Sequence, residues 1–199
     1  MAEHVCPPWL SFTLTNAFRR RAQDPDRIVG PFVRTGDVVL DIGCGPGFFA
    51  VPMARMVGAS GRVVAVDIHP GMLERTRRRA VRAGLGDRVK LHLAGRTAPG
   101  LDPAERADLA LVFWMAHEVP DPGRLFAEIG AALKPGGRLL LVEPKLHVPA
   151  AAFAALVARA GSAGFVPEGE PRVRLSRAAV LGLRPAVSLD PSAANRDRT

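Results

Sequence analysis

The chain has 199 residues, 48% of them hydrophobic, and a formal net charge of +8; that is enough for one domain with a buried core and short for two. Its positive charge is nearly all arginine, spread along the chain with few aromatics between, so solvated faces account for it better than a nucleic-acid surface does. No stretch is long and apolar enough to span a bilayer, the start lacks a secretory pattern, and two cysteines, Cys6 and Cys44, make neither a disulfide framework nor an iron–sulfur site, so a cytoplasmic protein is expected.

The first 35 residues read as an arm. Leu14, Phe18 and Ala22 suit a helix from about Pro8 to Arg21, and Asp24-Pro25-Asp26 caps a second one running to about Val33. Thr35-Gly36-Asp37 turns the chain into Val38–Asp41, an apolar run closed by an acid. Gly43, Gly45 and Gly47 follow at alternate positions, where they let the backbone take positive φ and let a ligand approach it. A helix from about Pro46 to Val57 then aims free N–H groups and a partial positive charge at that ligand.

Strands and helices alternate from there. Arg62–Asp67, Val89–Leu93, Ala107–Phe113 and Arg138–Glu143 read as strands, and Pro70–Ala83, Pro122–Leu133 and Pro149–Gly161 as helices. Arg75, Arg77, Arg78, Arg79 and Arg82 are most simply the wet face of the second of the sheet's helices. Lys134-Pro135-Gly136-Gly137 is a turn, and 164–174 and 176–183 are weaker strand candidates. The class is α/β, a doubly wound, mostly parallel sheet with helices on both faces. The domains are a helical arm at 1–35 over the active site, a cofactor-binding domain at 36–184 and a loose tail at 185–199.

The spacing departs from that of a dinucleotide site. A dinucleotide fingerprint is G-x-G-x-x-G, whereas this chain has an acid two positions before the first of three alternating glycines. Asp67 closes the second strand where a carboxylate accepts two ribose hydroxyls. With Leu133-Lys134-Pro135-Gly136-Gly137-Arg138-Leu139 before the fifth strand, the chain resembles the S-adenosylmethionine-dependent methyltransferases of the Rossmann-like kind over about residues 30 to 185. The resemblance implies a seven-stranded sheet with an antiparallel last strand inserted between the fifth and sixth. It implies S-adenosyl-L-methionine as cofactor, with Asp41, Gly43, Cys44, Gly45, Gly47, Phe48 and Phe49 at the methionine end. Asp67 would hold the ribose, Ile68 and Met72 would line the adenine, and Phe113 would lie beside the sulfonium. Where the family shows an acid that meets the adenine amine, this chain has Gly95-Arg96-Thr97. Arginine has no acceptor, so a backbone carbonyl does that work or Arg96 stacks on the ring. Cys44 is expected as a small loop residue rather than a nucleophile.

Acceptor residues must lie beyond the C-terminal strand ends. His117, with Glu118 beside it, is a candidate base; capping the next helix or bonding the loop backbone is the plain alternative. Glu143 ends a strand on the site side, and His147 reads as a solvated loop histidine at the same rim. His4-Val5-Cys6-Pro7-Pro8-Trp9 is chemically rich: it is a lid over the acceptor pocket, a soft metal or metalloid site using Cys6 and His4, or a frayed arm. The leading expectation is a methyltransferase for a small-molecule acceptor, with no resident metal and no nucleic-acid or membrane partner. A metal- or metalloid-methylating enzyme using Cys6, an RNA methyltransferase, and a homodimer whose second subunit covers the pocket stay open.

Overall fold

The computed structural model describes residues 23–184. The expected first helix, the His4–Trp9 segment and the tail lie outside the described residues. Helix α1 (Pro25–Val29) starts where Asp24 accepts the N–H of Asp26 at 3.1 Å. It stops before the expected Val33, ahead of Pro31, which lacks the N–H needed to continue the helical hydrogen bonds. Ile28 and Val29 are buried and join the core of the domain.

Strands β1 (Val38–Ile42), β2 (Arg62–Asp67), β3 (Val89–Leu93) and β4 (Ala107–Phe113) follow the expected apolar runs. With β5 (Leu133–Pro144), β6 (Phe165–Gly169) and β7 (Ser176–Leu183) they form a seven-stranded sheet of order β3-β2-β1-β4-β5-β7-β6. β1 pairs parallel with both β2 and β4, while β7 runs antiparallel to β5 and β6. The order reverses between β1 and β4, and open α/β sheets bind ligands at the carboxyl ends of such a pair.

Helices α2 (Ala50–Met56) and α3 (Pro70–Arg82) pack on one face of the sheet, and α4 (Pro122–Ala132) and α5 (Ala150–Ser162) on the other. Leu125, Phe126 and Ile129 recur at helical spacing on α4 and are all buried. Each such side chain contributes about 1.5–3 kcal/mol of transfer free energy.

Besides the end of α1, and of β6, which stops at Gly169 rather than 174, two boundaries nearer the site differ from the sequence reading. α2 begins at Ala50 rather than Pro46, because Gly45 and Gly47 hold φ of +53° and +79° and a left-handed residue cannot continue a right-handed helix. Lys134–Gly137 lies within β5 as a bulge: Ala107 faces Leu133, yet Leu109 already faces Arg138. Among the described residues no helix is long and apolar enough to cross a membrane.

Candidate active site

The glycine turn is tied down from both sides. Gly43 and Cys44 both donate to the Val66 carbonyl, at 2.8 and 2.9 Å, so the turn leaves β1 leaning on β2. A Cβ on Gly43 would lie 2.9 Å from Met115 Cγ, and one on Gly47 would lie 3.0 Å from Thr76. A Cβ on Gly45 would meet nothing within 4 Å. Gly45 is thus bare backbone facing open space, the cradle that close approach of a ligand requires.

Two carboxylates flank that cradle. Asp67 accepts from Gly45 N–H at 2.9 Å through Oδ2 and from His69 N–H at 2.8 Å through Oδ1. Each oxygen keeps a lone pair, so the carboxylate can still accept two hydroxyls. Asp41 is 2% exposed, accepts from Ala50 N–H, and leaves its Oδ2 buried without a hydrogen-bond partner. Burial, and then the charge of Asp67, push its carboxyl up to about 7. An orphaned buried oxygen calls for a donor or a cation. The cradle and that oxygen together fit a cofactor with an ammonium group, a ribose and little bulk at the turn.

On the adenine side Ile68 is half-buried and Met72 is buried. Leu93, which sequence reasoning passed over, faces Asp67 in the β2–β3 ladder and is 57% exposed at the strand end, an apolar surface for a ring. Its place closing the run of β3, as Asp67 closes β2, was the sign that could have found it. Gly95 and Arg96 are exposed on the loop after β3. Arg79 departs from its expected wet-face role: its guanidinium donates to the Pro46 carbonyl at 3.0 Å and braces the glycine turn from α3.

Phe48, Phe49, Phe113 and Trp114 form a chain of rings, with centroids 5.1, 4.5 and 5.4 Å apart in turn. The chain links the glycine turn to the end of β4. Trp114 holds φ of +58° and its indole N–H donates to Ser176 Oγ at 2.9 Å. Cys44 faces the core near Thr76 Oγ1, and burial pushes its thiol above the ordinary range, so it offers no nucleophile.

Beyond β4 the structure brings His117 to Glu143 rather than to Glu118. His117 Nδ1 donates to Glu143 Oε2 at 2.6 Å, and Glu143 Oε1 accepts from Ala116 N–H at 2.8 Å. Glu143 is fully buried, while the His117 side chain is 24% exposed. Glu118 Oε1 lies 3.9 Å from the other nitrogen, Nε2. The bond to Glu143 holds the imidazole above its usual range, against a smaller opposing effect of burial. With Nδ1 committed, Nε2 of the neutral ring is the free base. His147 is exposed, its ring 6.4 Å from that of His117. Cys6 and His4 lie outside the described residues; among the described ones no three His, Cys, Asp or Glu side chains cluster to hold a metal ion.

A switch-point cradle with two acids, and a buried carboxylate bonded to an imidazole beyond β4, mark a Rossmann-like domain whose ligands belong at the carboxyl ends of β1 and β4. Residues 39–137 match the family described as a methyltransferase domain. Aklanonic acid methyltransferase DauC of Streptomyces sp. (strain C5) is 36% identical over 133 residues, covering 67% of this chain and 54% of that protein. A demethylmenaquinone methyltransferase of Symbiobacterium thermophilum is 36% identical over 110 residues, covering 55% and 43%. The crystal structure of a SAM-dependent methyltransferase from Aquifex aeolicus shares the fold, with a TM-score of 0.80 at 20% identity over 90% of this chain and 100% of that one. The chain spans about half the length of the curated relatives it matches. It belongs to the S-adenosylmethionine-dependent methyltransferases.

Proposed function

We propose that this protein methylates a hydroxyl group on a small organic acceptor, using S-adenosyl-L-methionine. When bound, that cofactor supplies a methyl carbon activated by a sulfonium leaving group. Asp41 would meet its ammonium group, Asp67 its ribose, and Gly45 would give it room. Ile68, Met72 and Leu93 would line the adenine, and Phe113 with its ring neighbours would wall the methyl-bearing end. These assignments rest on the open face of Gly45, the unpartnered Asp41 oxygen and the free lone pairs of Asp67.

The observation that carries the acceptor reading is the 2.6 Å bond between His117 and Glu143. A hydroxyl is a poor nucleophile until its proton is taken, whereas a thiol needs little help. His117 Nε2 takes that proton, and Glu143 fixes the tautomer and steadies the imidazolium that forms. Relatives named for aklanonic acid and demethylmenaquinone support a small-molecule acceptor. The metalloid reading, which needs Cys6, and the RNA reading gain no observation among the described residues.

The test is methyl transfer to matched phenol and thiol acceptors, read by mass spectrometry. His117→Ala should slow the phenol reaction by about 10²-fold or more. The same variant should leave the affinity for S-adenosylhomocysteine unchanged. An equal loss on the thiol, or none on the phenol, would reject His117 as the base.

A further inference from the structure

His117 also lines a groove that the cofactor site does not use. The groove, about 250 Å³, runs between the turn after β4 and the start of α5. Val119, Val148 and Leu156 give it an apolar surface, and the backs of Val148 and Leu156 are anchored in the core, at 1% and 7% exposure. Its two ends differ in charge. At the strand end stand His117 and His147, with Glu118 and Glu143 beside them. Arg159 lines the other end, and no carboxylate pairs with it among the described residues. Ala152, Leu156 and Arg159 share one face of α5, and the seven steps from 152 to 159 span about 10 Å of helix.

This polarity selects a ligand. At the strand end the carboxylates of Glu143 and Glu118 already stand against His117, so an incoming carboxylate finds that imidazole taken. At the far end the same carboxylate meets a guanidinium, which binds planar anions through paired hydrogen bonds. An apolar body between the two matches the surface of the groove. We propose that the groove is the acceptor subsite for a hydroxylated aromatic acid, its ring on Val119 and Leu156, its carboxylate on Arg159 and its hydroxyl at His117. This rests on the methyl-transfer reading only for which end reacts; the binding stands by itself.

The probe is 4-hydroxycinnamate, titrated calorimetrically into the full chain beside its neutral amide. Wild type should bind the acid more tightly than the amide by about tenfold, the size of one charge-assisted contact. Arg159→Gln should erase that preference and leave amide binding unchanged, and Arg159→Lys should restore part of it. Ala155→Phe, which fills the groove, should abolish both, with thermal melts reporting that each variant folds. Equal binding of acid and amide to wild type, or no binding of either, overturns the proposal. So does a preference that survives Arg159→Gln. Sedimentation that finds a dimer dissolved by Ala155→Phe, without acid binding, gives the groove to a second copy and overturns it too. The arms separate the two readings: acid selectivity through Arg159 without methylation of the hydroxyl leaves this subsite standing and sinks the hydroxyl-methylation reading. Phenol methylation indifferent to Arg159 does the reverse.

Discussion

At the scale of single residues the site is governed by two carboxylates that the fold treats in opposite ways. Asp41 is buried with one oxygen unpartnered, so the folded chain holds its proton up to about pH 7 while the unfolded chain loses it near 4. Between those values the folded state binds more protons, and stability therefore falls as pH rises from about 4 to about 7, then levels. The ceiling on that loss is about 4 kcal/mol, and relaxation brings it nearer 1–2 kcal/mol. Asp41→Asn should thus raise the melting temperature of the ligand-free protein by about 2–8 °C at pH 8, leave it nearly unchanged at about pH 4, below the unfolded value, and weaken S-adenosylhomocysteine binding. A wild-type melting temperature that stays flat from pH 5 to 8 would contradict this. Glu143 is buried but fully satisfied, by His117 and by Ala116 N–H, and it raises the imidazole. A base works unprotonated, so turnover should climb as pH rises through that raised value. Glu143→Gln removes the charge, lets the imidazole fall back toward about 6.5, moves the acid limb of the rate profile to lower pH and cuts the plateau by about 10–10²-fold. Glu143→Asp should recover part of both. If Glu143 were structural only, the plateau would drop while the limb stayed in place. The raised imidazole also stabilises the fold below about pH 6.5, and that contribution is lost as pH rises through the folded value.

At the scale of elements, the glycine turn separates conformational cost from ligand space. Gly45 and Gly47 both hold left-handed φ, yet a Cβ on Gly45 is unopposed and one on Gly47 strikes Thr76. Gly45→Ala should cost about 1–2 kcal/mol of stability, the strain of that backbone alone, while weakening S-adenosylhomocysteine by tenfold or more. Gly47→Ala should cost more stability, since Thr76 must also move. Titration calorimetry and melting curves read the two effects apart; equal affinity losses per unit of stability lost would refute the distinction. The same turn shows why part of the structure was legible and part was not. Apolar runs closed by Asp41, Asp67 and Phe113 marked β1, β2 and β4, because a buried strand needs little besides its own side chains. The start of α2 was misplaced by four residues, since its position depends on which glycines turn left-handed, and composition does not say. His117 stood out as a candidate base, but the sequence paired it with neighbouring Glu118. Its partner is Glu143, brought alongside by the β4–β5 register that sets Phe113 opposite Val142. A partner supplied by strand pairing has no local trace.

At the scale of the whole molecule, the sheet divides the core into two layers with different duties. The layer with α2 and α3 contains Phe48, Phe49 and Phe113 and lies under the glycine turn. The layer with α4 and α5 contains Phe126, Ile129 and Leu156 and lies on the opposite face. Fold stability draws on both layers, and the ring chain that abuts the cofactor cradle belongs to the first. Phe126 is fully buried, so Phe126→Ala leaves a cavity worth about 3–5 kcal/mol. That is a large share of the 5–15 kcal/mol typical of a domain. The denaturant midpoint should fall steeply with an unchanged slope, while the affinity of the folded fraction for S-adenosylhomocysteine stays within about twofold. Phe49→Leu removes less volume and should cost about 1–1.5 kcal/mol. It breaks the ring chain at its tightest contact, 4.5 Å from Phe113, so the turn loses its support and affinity should fall by about tenfold. Stability and binding should therefore rank the two variants in opposite order. If Phe126→Ala instead lowers affinity more than Phe49→Leu does, the two faces are mechanically coupled through the sheet and the division of duties is wrong.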